Sequence, residues 1–179
     1  MIFEEKKISS ERIYEGAILN LRRDTVTVPS GTAYREIVEH NGAVAIVPVK
    51  DNGKIVMVKQ FRYPSGQVLL EIPAGKIDKG ETIPENTAQR ELREETGYTA
   101  ETLHYLGKLN PSVAYTEEVI HLYAATGLTE GETEFDEDEA LEIVEYDYDE
   151  AFSMAASGQL VDAKTIAGIF MAKEQLGIK

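Results

Sequence analysis

The chain has 179 residues, 42 % of them hydrophobic and 28 % charged, which suits a soluble globular protein with one sizeable core. No apolar run approaches the ~20 residues that span a membrane. The charged N-terminus lacks a signal-peptide core, and the absence of cysteine excludes disulfides and thiolate metal sites, so a reducing cytoplasm is expected.

The net charge of −14 is regional. Residues 109–163 carry 15 acids and no Lys or Arg, while the rest of the chain carries 17 acids and 18 bases. Without basic stripes, nucleic acid is not an expected partner. An acidic stretch can bind divalent cations, but on charge alone a solvated, solubilising loop is favoured.

Residues 1–39 alternate in short segments broken by turn signals, with strands expected at Ile13–Gly16, Asp24–Val28 and Arg35–Glu39. They predict a small antiparallel sheet that must pack on something. Gly42–Val49 is an almost continuous apolar run, hence a buried strand. The turn Asp51-Asn52-Gly53 followed by Lys54–Gln60 predicts a hairpin with it. Val68–Pro73 is a further strand, ended by Ala74-Gly75. The period then changes. Thr82-Ile83-Pro84-Glu85 has the form of a capping box with Pro in the first turn, and predicts a helix from about Ile83 to Thr96 closed by Gly97. Strands follow near Leu103–Leu109, Glu118–Ala125 and Leu141–Tyr146, then helices over about Asp149–Ser157 and Ala163–Leu176, the last with Asp162 as N-cap. The class is α+β.

The informative segment is Gly75–Tyr98. Glu91, Glu94 and Glu95 stand at i, i+3 and i+4 and share one helix face. Three carboxylates on one face repel. Arg90 offsets part of this through its i,i+4 pairing with Glu94, and a hard cation such as Mg²⁺ would offset more. Ala88 and Leu92 form the neighbouring apolar strip that docks the helix on a sheet. A surface helix laced with salt bridges would explain the charges alone, but not the glycines fixed before and after them.

Gly75, Glu81, Arg90, Glu91, Leu92, Glu94, Glu95, Gly97 and Tyr98 together resemble the Nudix box, G-x5-E-x7-R-E-U-x-E-E-x-G-U with U apolar. Eight residues, not seven, separate Glu81 from Arg90, so the extra residue falls where loop becomes helix. Arg35-Glu36-Ile37-Val38, Lys59–Pro64, Leu70–Gly75 and Asp162–Thr165 look like the ADP-ribose pyrophosphatase branch of the same family. That resemblance implies a Nudix α/β/α sandwich with a mixed sheet over residues 41–179. It also implies a small antiparallel sheet over residues 1–40 that mediates a homodimer and helps build the partner's site.

By position, the resemblance implies Glu91, Glu95 and the carbonyl of Ala74 as Mg²⁺ ligands (Mn²⁺ a substitute), with Glu94 second in line. Arg62 would contact phosphate or ribose, and Arg35 and Glu71 would help hold the substrate. Glu137 and Glu139, in the late acidic stretch, are the candidates for the carboxylate that activates water. The implied reaction is metal-assisted hydrolysis of a nucleoside diphosphate sugar, with ADP-ribose giving AMP and ribose 5-phosphate. GDP-mannose, or a broad set of such sugars, is the alternative, and a non-catalytic nucleotide-sugar-binding module the more distant one. Tyr115 is open to two readings, a platform for a base or a packed aromatic. His40, His104 and His121 show no ligand spacing and are expected to be structural or surface residues.

Overall fold

The computed structural model describes residues 2–135 and 140–178. In chain order the elements are β1 (Lys7–Glu15), β2 (Asn20–Val28), β3 (Gly31–Glu39), β4 (Ala43–Pro48), β5 (Lys54–Arg62), β6 (Gln67–Glu71), β7 (Ala74–Lys76), α1 (Pro84–Thr96), β8 (Thr99–Leu109), β9 (Ile120–Thr129), β10 (Leu141–Asp147), α2 (Tyr148–Ser157) and α3 (Ala163–Leu176). Among the described residues no helix is long and apolar enough to cross a membrane.

The chain divides into two compact units. One comprises Met1–Gly42 and Asn110–Val119. Its sheet is an antiparallel meander in the order β1-β2-β3. The 110–119 segment joins it through two backbone hydrogen bonds, Val38 N–H to Tyr115 O (2.7 Å) and Glu117 N–H to Val38 O (3.0 Å). Arg22 reinforces the junction by contacting Asp24 (3.2 Å), Glu39 (2.8 Å) and Glu117 (2.5 Å).

The other unit comprises Ala43–Leu109 and Ile120–Lys179. It holds a mixed four-stranded sheet, β7-β4-β9-β8, in which β4 and β9 run parallel, and a second, antiparallel sheet, β10-β5-β6. Strand β4 explains the layering. It is apolar on both faces because both are covered. Val44 and Ile46 pack with Ala88 and Leu92 of α1, whereas Ala45 and Val47 belong to a second cluster with Ile169 and Ala172 of α3. The result is helix, sheet, helix. Full burial of Leu92 contributes about 1.5–3 kcal/mol to holding α1 in place.

The expected hairpin does not form. β4 and β5 lie in different sheets and share only the isolated Val49–Ile55 bridge and a Lys50 N–H to Lys54 O bond of 2.8 Å. The turn at Asp51-Asn52-Gly53 is present, but each strand is interior to its own sheet. β4 lies between β7 and β9, and β5 between β10 and β6. The capping box is also different. Helix α1 starts at Pro84 with Ile83 as N-cap and no side-chain cap. Just ahead of the helix, Glu81 Oε1 accepts the N–H groups of Thr82 and Ile83, both at 2.7 Å. A carboxylate suits these donors and the positive end of the helix.

Candidate active site

Ala88 and Leu92 face the core, and this fixes the rotation of α1. Glu91 and Glu95 are thereby turned toward the short strand β7. Glu95 is only 4 % exposed, and its Oε2 accepts the N–H of Ala74 at 3.2 Å. Glu91 lies directly over Gly75. A Cβ built on that glycine would stand 1.8 Å from the Glu91 carboxyl carbon, so only glycine leaves room for the carboxylate. Gly97 closes the helix at φ 75°, with its N–H on Arg93 O at 2.8 Å.

Arg90 bridges two of the acids, with Nη2 2.8 Å from Glu91 Oε1 and Nη1 2.6 Å from Glu94 Oε2. Burial works against its charge, but Glu91 and then Glu94 outweigh burial and raise its pKa. Among the described residues no three Asp, Glu or His side chains stand together as a finished metal cage. The donor set nevertheless fits Mg²⁺, which keeps several waters and needs only one or two carboxylates beside substrate phosphates. The room that Gly75 leaves for Glu91 and the packing of Glu95 against Ala74 bring two such carboxylates to one place.

A second cluster adjoins this one. Arg62, at the end of β5, grips Glu71 with two parallel bonds, Nε to Oε1 at 2.7 Å and Nη2 to Oε2 at 2.8 Å. Glu71 is 1 % exposed and also receives Lys164 Nζ on Oε2. Lys164 contacts Asp162 at 3.0 Å. Asp162 in turn caps α3, accepting Thr165 N–H at 3.0 Å and Thr165 Oγ1–H at 2.6 Å, while Thr165 Oγ1 accepts Ile72 N–H at 2.9 Å. Burial alone would push the Glu71 carboxyl up, but Arg62 and Lys164 hold it below the ordinary glutamate value. Arg62 is 40 % exposed, and Glu95 is close enough to help stabilise its charge.

The structure therefore brings Ala74, Glu91, Glu95, Glu71 and Arg62 together, with Glu94 held to one side by Arg90. Arg35 lies in the N-terminal unit, paired with Glu5 through Nε at 2.9 Å. It shares a cavity of about 310 Å³ with Ile37, Val113 and Tyr115. Tyr115 is exposed rather than packed. Glu137 and Glu139 lie outside the described residues. The chain leading to them is tied to α1, with Glu134 N–H on Glu94 O at 3.0 Å and Arg93 Nη2 on Glu134 Oε2 at 2.7 Å. The histidines take structural partners: His40 accepts Gly42 N–H at 3.0 Å and His104 pairs with Thr126 at 2.9 Å. His121 lies 3.4 Å from the Tyr105 hydroxyl.

Lys164 had no role in the sequence reading. A signal was available: a lysine two residues after the N-cap sits at the positive end of a helix, an unfavourable place unless anions meet it.

Residues 39–168 match the family described as NUDIX domain, and residues 5–36 match the nucleoside diphosphate sugar hydrolase N-terminal domain. Over 169 residues the chain is 46 % identical to an ADP-ribose pyrophosphatase of Bacillus subtilis (strain 168), covering 93 % of this chain and 91 % of the relative. It is 42 % identical over 181 residues to a methanol dehydrogenase activator of Bacillus methanolicus, covering 99 % and 97 %. Among solved structures it matches one described as the crystal structure of an ADP compounds hydrolase, with TM-score 0.85 over 99 % of this chain and 96 % of the other. At 22 % identity that likeness is one of fold.

Proposed function

The chain belongs to the NUDIX domain family, and on that premise we propose that it hydrolyses the pyrophosphate bond of nucleoside diphosphate sugars, ADP-ribose first among them, to a nucleoside monophosphate and a sugar phosphate. The observation that carries this reading is the placement of Glu91 and Glu95 against Gly75 and Ala74, beside the exposed edge of Arg62. Mg²⁺, with Mn²⁺ as substitute, would be held by Glu91, Glu95 and the Ala74 carbonyl, and when bound would neutralise diphosphate charge and acidify a water.

The protein's own residues do the rest. Arg62 offers N–H groups to the phosphate oxygens in a geometry that a guanidinium matches well. Arg90 keeps Glu94 aligned beside Glu91. Glu137 or Glu139 takes the proton from the attacking water; support for this is that Glu134, just before them, is anchored to α1. Arg35 and Tyr115 serve substrate binding, a reading supported by the cavity they share. A homodimer through the N-terminal sheet is part of the same reading. Its support is β1, whose nine residues are all exposed, Ile8, Ile13 and Tyr14 among them. A cytoplasmic setting accords with the reaction, and nucleic acid is not part of it.

The test is hydrolysis of ADP-ribose, GDP-mannose, UDP-glucose and a dinucleoside polyphosphate, each with Mg²⁺ and with EDTA. Mg²⁺-dependent release of a nucleoside monophosphate and a sugar phosphate is expected. The ranking separates an ADP-ribose enzyme from a broad one. A folded protein that leaves every nucleotide sugar intact overturns the reading.

A further inference from the structure

Arg62 is held by an unusual partner. Glu71 is almost wholly buried, and its two oxygens serve two cations. A guanidinium has five N–H donors in a rigid fork. Glu71 takes one on Nε and one on Nη2, which fixes the plane of the group and leaves its Nη1 donors outside this pair, on a side chain 40 % exposed. A lone carboxylate in this position would largely cancel the charge of Arg62. Lys164 changes that balance by drawing on the same carboxylate from the inner side, where it is only 12 % exposed. The sequence accepts a cost for this, since Lys164 stands at the positive end of α3.

We propose that Glu71 and Lys164 are positioning residues that act through Arg62: Glu71 orients the guanidinium toward the diphosphate, and Lys164 preserves its net positive charge. The inference rests on the nucleotide-sugar hydrolase reading above and extends it. It gives Glu71 no direct contact with substrate, and it gives Lys164 a part in substrate affinity.

The test is a double-mutant cycle on ADP-ribose hydrolysis with Mg²⁺, with folding of every variant followed by circular dichroism. Lys164→Met is expected to raise KM about tenfold or more, the scale of one charge-assisted hydrogen bond, and to change kcat far less. Lys164→Arg restores KM. In an Arg62→Ala background, itself raised in KM, Lys164→Met adds nothing further. A purely structural lysine would instead give the same loss in both backgrounds. Should Lys164→Met fail to fold, Glu71→Gln keeps the shape and is tested in the same cycle. An unchanged KM in a folded Lys164→Met or Glu71→Gln protein, or additive losses with Arg62→Ala, overturns the proposal. Calorimetric titration of the unmutated protein with ADP-ribose separates the two failures. A protein that binds and turns over ADP-ribose while the variants match it defeats this inference alone; one that neither binds nor cleaves any nucleotide sugar removes the functional reading, and this inference with it.

Discussion

The N-terminal sheet and the α1–α3 region use the same ion pairs to different ends. On the sheet, Arg23 meets Glu11 and Arg35 meets Glu5, with all four side chains well exposed. Such pairs trade water for a partner and gain little. Near α1, Glu71 is removed from water and can stay charged only because Arg62 and Lys164 both reach it. Arg22 is intermediate, less exposed than Arg23 or Arg35 and ringed by Asp24, Glu39 and Glu117. Burial, rather than the number of pairs, decides which charges the fold depends on.

The largest effect is expected at Glu95. Glu95→Gln should lower turnover by roughly 10²–10³-fold, the scale of losing one group that stabilises charge at a reacting centre, while the thermal midpoint barely moves. Retained activity would show that α1 is not the catalytic helix. Gly75→Ala follows, because the Glu91 carboxylate must leave its place: about 10²-fold in rate, with about 1–3 kcal/mol of strain in urea unfolding. Normal Mg²⁺ dependence in that variant would refute the role of Glu91.

Glu71→Ala strands two cations and should cost about 3 kcal/mol, the low end for a broken buried pair because Arg62 is 40 % exposed. A smaller effect follows from its depressed pKa. The contribution of Glu71 is complete above its ordinary value of 4.5 and is lost as pH falls through the lower folded value. The difference in urea midpoint between the unmutated protein and Glu71→Gln should therefore shrink as the pH falls below 4.5. A difference that grows on acidification would reverse the assignment. The smallest change belongs to the sheet: Arg23→Ala should leave the midpoint almost where it was. A drop matching that of Glu71→Ala would erase the contrast between the two regions.

Much of the site could be read in the chain itself, for local reasons. Asp162 and Gly177 bracket α3 as cap residues should, and α3 spans Ala163–Leu176 as expected. Glu91, Leu92 and Glu95 could be assigned to faces because a helical period is set within a few residues. What escaped depended on distant partners. The buried strands β4 and β5 invited a hairpin, yet each found its neighbours far along the chain. Thr82 matched a capping pattern, but Ile83 takes the N-cap position with no side-chain cap, and the carboxylate of Glu81 accepts the Thr82 and Ile83 N–H groups ahead of the helix. Lys164, 93 residues after Glu71, reaches its carboxylate, a contact that no local period announces. Residues 110–119 carry no pattern linking them to the N-terminal strands; the backbone pairing with Val38 and the Arg22–Glu117 contact do so.

That discontinuous segment has a consequence for synthesis. The first unit needs residues 110–119, and β4 needs β9, its parallel neighbour, which begins at Ile120. The first unit cannot be completed before Val119 is made, and the second waits longer, for β10 beside β5 and α3 against β4. Until residues 110–119 emerge, β3 lacks the backbone partner that Val38 takes there. The two units therefore close one after the other, the N-terminal one first and the one bearing α1 and α3 after it.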